Sequence, residues 1–101
     1  MQRDIYRYVF DSGVEFSEVT ATLDLAFIAI ESLHGESRAR LDARFTSEPS
    51  RRTVVLDATT SVGQALNQVF VGFARREFGE DAFTVRRVEA VSTNDERVAA
   101  N

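Results

Sequence analysis

Two helical stripes, each bracketed by segments that alternate with a period of two, leave this chain few folds to choose from. Val19, Leu23, Ala26, Phe27, Ile30 and Leu33 recur at the spacing of one helix face. Val62, Leu66, Val69, Phe70 and Phe73 repeat the pattern later in the chain. Ser17 stands where it can cap the first helix, and Gly35 after His34 stops it. Ser61-Val62-Gly63-Gln64 has the spacing of a capping box for the second, which Phe78-Gly79 closes.

The segments around the helices read as strands. Tyr6, Tyr8 and Phe10 alternate with Ile5, Arg7 and Val9, and Asp11-Ser12-Gly13 follows as turn chemistry. From Arg38 to Phe45, Ala39, Leu41, Ala43 and Phe45 take one face while Arg38, Arg40, Asp42 and Arg44 take the other, which predicts a second strand. Thr46-Ser47-Glu48-Pro49-Ser50 breaks it, and residues 53–58 resume as a third strand, so the pair forms an antiparallel hairpin. Phe83, Val85 and Val88 mark a fourth.

The order β-α-β-β-α-β, with short links and right-handed crossovers, predicts one four-stranded antiparallel sheet with both helices on one face. The inward set is then Tyr6, Tyr8, Phe10, Leu41, Phe45, Val54, Leu56, Phe83 and Val85. Over residues 4–90 this α+β chain resembles the ferredoxin-like fold, which hosts many unrelated functions and selects none of them.

A chain of 101 residues makes a single domain, expected over residues 1–91, with a polar, flexible tail over 92–101. Its hydrophobic share of 44% with eight Phe supports a real core. Twelve basic residues against sixteen acidic ones give a net charge of −4, which argues against a general nucleic-acid or anionic-membrane surface. Every basic residue is Arg, so lysine chemistry is absent, and the lack of Cys removes disulfides and thiolates. No basic start leads into a long apolar stretch, and the run Leu25 to Ile30 is too short to cross a bilayer. A cytoplasmic protein is the expectation.

Candidate chemistry is sparse. His34 is the one histidine, placed at the negative end of a helix where capping explains it. Glu77, Glu80 and Asp81 cluster beside Arg75 and Arg76, the pattern of a solvated charge cluster. No catalytic residue, metal site or cofactor is expected. Gly13-Val14-Glu15-Phe16 resembles a fragment of the acylphosphatase loop, Gly-Val-x-Phe-Arg, in which the arginine and backbone N–H groups grip a phosphate. The resemblance implies a hydrolase, but Ser17 replaces the arginine, and Asn67 and Asn94 lie on no strand where the family's asparagine would orient water. Asp11-Ser12-Gly13-Val14 is similar to the first turn of the ACT domains, which bind small ligands there and pair through sheets or helices. That likeness implies a ligand-binding role for Asp11, Ser12 and Gly13, with the glycine letting a ligand approach the backbone; the plain alternative is a strand-to-helix turn that needs Gly13 for its backbone angles.

RNA binding would need aromatic side chains on the open sheet face, whereas the alternation turns Tyr6 and Tyr8 inward. That face instead carries Ile5, Arg7, Val9, Arg40, Arg44, Val55, Asp57 and Arg86, a mixture suited to a protein interface. The first helix is apolar beyond one stripe, through Leu25 and Ile28, and the second carries Val71 and Gly72 outward. The expectation is a non-catalytic module that self-associates as a homodimer, or binds another protein, through its open sheet.

Overall fold

The computed structural model describes residues 4–89. The tail expected from residue 92 lies outside them. In chain order the elements are β1 (Asp4–Phe10), α1 (Phe16–His34), α2 (Glu36–Asp42), β2 (Arg44–Glu48), β3 (Thr53–Asp57), α3 (Ser61–Phe78) and β4 (Phe83–Glu89). Single 3₁₀ turns precede β3 and β4, over Pro49–Arg51 and Glu80–Ala82. The sheet has four strands in the order β2-β3-β1-β4, every neighbouring pair antiparallel. The class is α+β, with three helices rather than the two expected. None of them, among the described residues, is long and apolar enough to cross a membrane.

One buried cluster joins a single sheet face to the helices. Tyr8, Phe10, Val54, Leu56 and Phe83 from the strands meet Val19, Leu23, Ala26 and Ile30 of α1 and Val62, Leu66, Phe70 and Ala74 of α3. Phe10 is the hub, with its ring 5.1 Å from Phe83, 5.8 Å from Phe78 and 6.4 Å from both Phe16 and Phe70. Burying each such side chain contributes roughly 1.5–3 kcal/mol, so the cluster is the main source of stability. Phe45 of β2 is half-buried and packs on Phe27 of α1 at 5.6 Å, which ties the edge strand to the same core.

The region 36–48 departs from the expectation. Residues 38–42 are helical, Leu41 is 71% exposed rather than inward, and the second strand starts only at Arg44. The period-2 pattern there also satisfies a helix, because Ala39 and Ala43 lie four apart and both are buried. Two further pairs at that spacing, Glu36 with Arg40 at 2.8 Å and Arg38 with Asp42 at 3.6 Å, become ion pairs on the helix surface. No β-branched residue opposes the choice.

Smaller corrections follow the same logic. The cap of α3 is Thr60, whose Oγ1 accepts from Gly63 N–H at 2.9 Å and donates to the Asp42 carbonyl at 2.8 Å, so one hydroxyl starts α3 and finishes α2. Helix α1 begins at Phe16 with Glu15 at its cap position and no side-chain cap. Gly35 and Gly79 end their helices at φ of 92° and 91°, as anticipated. Leu33 and Val85 are exposed, being near the end of α1 and on the outermost strand.

Tyr8 is the buried polar anchor of the core. Its hydroxyl donates to Asn67 Oδ1 at 2.6 Å, and its ring stands edge-on to Phe70 at 5.0 Å. Burial raises the phenol well above its ordinary range, repulsion from Tyr6 adds to this, and Arg75 opposes it. The neutral form is therefore the folded form, and the unfolded chain loses this proton first as pH rises. Stability should hold below the ordinary phenol value near 10 and fall above it. Urea midpoints taken across that range should show a steeper decline for the wild type than for Tyr8→Phe. Parallel declines would remove Tyr8 as the cause.

Candidate interaction site on the open sheet face

The strand register sets the second face of the sheet in three rows. Reading across β2, β3, β1 and β4, the first row is Arg44, Asp57, Ile5 and Val88. The second is Thr46, Val55, Arg7 and Arg86, and the third is Glu48, Thr53, Val9 and Thr84. These positions alternate with the core residues, so they turn away from the helices. Arg7, Arg44 and Arg86 are exposed, while Ile5, Val55, Asp57 and Val88 are half-buried by their neighbours.

Seven of the eight expected interface residues are therefore on this face. Arg40 is not: it stands on α2, within 2.8 Å of Glu36 and 3.7 Å of Glu31. Two shallow depressions cover the site, one of about 200 Å³ lined by Ile5, Arg44, Phe45, Thr46, Val55 and Asp57. The other, about 330 Å³, is lined by Arg7, Val9, Glu48, Arg51, Thr53 and Val55.

Charge on this face opposes that of the chain. Among the described residues of this face, Arg7, Arg44, Arg86 and the rim residue Arg51 stand against Glu48 and Asp57, whereas the whole chain carries −4. Arg7 and Arg86 are direct cross-strand partners. Like charges so placed are destabilising by up to about 1 kcal/mol. Neither forms a salt bridge among the described residues. No aromatic side chain occupies the twelve positions of the three rows, so the face offers no platform for stacking bases.

Asp11, Ser12 and Gly13 are exposed in the turn between β1 and α1. The residue that organises this turn was not legible in the sequence. Arg52, at the end of the β2–β3 turn, adopts φ 54° and ψ 42°, the left-handed region. Its Nε donates to the Phe10 and Asp11 carbonyls at 3.2 and 3.0 Å, and its Nη2 donates to Asp11 at 2.6 Å and also to Val14. The turn thus points carbonyls at a guanidinium of its own chain. Gly13 needs no left-handed backbone there, contrary to expectation. Pro49 announces the local turn in the sequence, but nothing local names the carbonyls that Arg52 reaches.

His34 is half-exposed at the last position of α1, Ser17 is exposed in its first turn, and Asn67 is engaged by Tyr8. Glu77, Glu80 and Asp81 are exposed around the end of α3. Among the described residues, no group of three His, Asp or Glu side chains is gathered as a metal site. Comparison of the chain with family models, curated proteins and solved structures finds no match, so its chemistry rests on its own geometry.

Proposed function

We propose that the chain is a non-catalytic protein-interaction module whose contact is the open face of its sheet. The observation that carries this is the unrelieved Arg7–Arg86 pair beside the apolar residues Ile5, Val9, Val55 and Val88. A partner carboxylate between two guanidiniums gains charge-assisted hydrogen bonds and removes a repulsion, while the aliphatic residues supply burial. Self-stacking of this face would bring two sets of Arg7, Arg44 and Arg86 together, so an acidic partner protein suits it better than a second copy. The strand order, with α2 as an addition, supports the ferredoxin-like reading of the fold. The ligand-sensor alternative would use the turn at Asp11 to Gly13. The carbonyls engaged by Arg52 favour the interaction module over it.

Quantitative affinity capture from nuclease-treated extract of the source cells tests this. A protein retained by the tagged wild type should be reduced about tenfold or more by Arg7→Glu and by Val55→Glu, each about 1.4 kcal/mol or more of binding. Leu25→Asp, on the opposite side of the molecule, should retain it. Equal capture by the wild type and both sheet variants, with all of them folded by circular dichroism, would withdraw the proposal.

A further inference from the structure

Among the described residues, nothing covers a second surface, on the helix layer. Ala21, Leu25, Ile28 and Ser32 follow one another at spacings of four, three and four along α1, all exposed on the side away from the sheet. Leu25 is 59% and Ile28 54% exposed, unusual for large aliphatic residues in the middle of a long helix. Beside them on α3, Phe73 is 38% exposed, and a groove of about 280 Å³ runs between the helices, lined by Thr22, Leu25, Phe73, Arg76 and Glu77.

Gly72 lies next to Phe73 in the interior of α3, where glycine weakens a helix relative to alanine. The fold does not require it: φ is not positive, and a Cβ added there would meet nothing within 4 Å. A Cβ at Gly63 would clash severely with the Asp57 carbonyl, so the two glycines of this helix have different causes. A half-exposed glycine that the described residues leave open, next to the exposed Phe73, lets another backbone approach closely.

Charge identifies the occupant. Helix α1 carries Glu18, Asp24 and Glu31 and no arginine, whereas α3 carries Arg75 and Arg76 against the single acid Glu77. The strand directions make the two helices antiparallel, and the groove residues set Thr22 and Leu25 level with Arg76 and Phe73. At 100° per residue, Asp24 falls on the rim of α1 away from α3, and Arg75 on the rim of α3 away from α1. Both are exposed, and neither is in a salt bridge among the described residues. A twofold axis along the groove lays α1 of one copy over α3 of another. It puts Leu25 and Ile28 against Gly72 and faces each Asp24 with an Arg75, twice by symmetry.

We infer that the α1–α3 face is the surface through which the chain pairs with a second copy of itself, leaving the sheet face for an unlike partner. Sedimentation velocity of the chain at on the order of tens of micromolar should give a dimer. Leu25→Asp should give a monomer, and Gly72→Ala should weaken the dimer about tenfold while raising the melting temperature measured in dilution. Asp24→Arg and Arg75→Asp should each weaken it, and the double exchange should recover most of the loss. A wild-type monomer at these concentrations, no recovery in the double exchange, or a dimer broken by Val55→Glu and indifferent to Leu25→Asp would overturn the inference. The first two outcomes leave the sheet-face proposal intact, because its partner is a different protein.

Discussion

Gly63→Ala should be among the most damaging small substitutions in the chain. An alanine Cβ at this position would stand 2.3 Å from the Asp57 carbonyl oxygen, 3.1 Å from Thr60 Oγ1 and 3.3 Å from Ala58 Cα. None of the three can yield cheaply. Asp57 belongs to β3 and is registered against Ile5 on one side and Arg44 on the other. Thr60 is the cap that joins α3 to the end of α2. Relief requires α3 to lift from the sheet, where Val62, Leu66 and Phe70 are fully buried. Overpacking of a rigid site costs about 3 kcal/mol, a large fraction of the ~5–15 kcal/mol that holds a domain folded. Thermal unfolding should show a fall of roughly 15 °C. Gly72→Ala on the same helix should move the midpoint the other way. A Gly63→Ala protein melting within a few degrees of wild type would show that the close approach of α3 to β3 is not a constraint.

Arg52→Ala should produce the second large loss, about 1–2 kcal/mol, by removing from the part-exposed carbonyls of Phe10, Asp11 and Val14 the donor that organises them. The Arg52 main chain also matters, since its carbonyl accepts from Phe10 N–H at 2.9 Å and its own N–H closes the turn onto Pro49 at 3.0 Å. That double role explains why a non-glycine residue is held in left-handed backbone, at an intrinsic cost of about 1–2 kcal/mol. Arg52→Gly should therefore be less harmful than Arg52→Ala by about 1 kcal/mol, because it loses the same donors but relaxes the backbone. Arg52→Lys should fall between wild type and glycine, keeping the charge without the planar fork. Urea denaturation of the three variants gives the order directly. Alanine equal to wild type would mean that water replaces the guanidinium without loss.

The parts of the fold that were legible are those where burial and period coincide. Tyr8 and Phe10, Val54 and Leu56, and the α1 stripe from Val19 to Ile30 all bury the residues that their spacing selects. The segment 38–45 reads as a strand but folds as a helix as far as Asp42, because alternation of alanine and leucine with arginine is compatible with both periods. The deciding contacts, such as Thr60 Oγ1 to the Asp42 carbonyl, come from eighteen residues away. Strand β2 was obscured for a different reason. It is an edge strand with only Phe45 partly buried, so Thr46, Ser47 and Glu48 carry no apolar signal and read as a turn. The candidate sheet face was largely visible, since seven of its expected residues follow from strand parity alone, and Arg40 was lost with the strand that was to carry it.

Sequence alone determined the α+β class, the two long helices and their glycine stops, and which side of β1, β3 and β4 faces the core. These follow from short-range periodicity and from the backbone freedom of glycine. Tertiary structure decided the helix at 36–42, the left-handed Arg52 clamp, the tight seat of Gly63 and the adjacency of Arg7 with Arg86. Each of these joins residues distant along the chain, and no local pattern encodes which distant atom a side chain will meet.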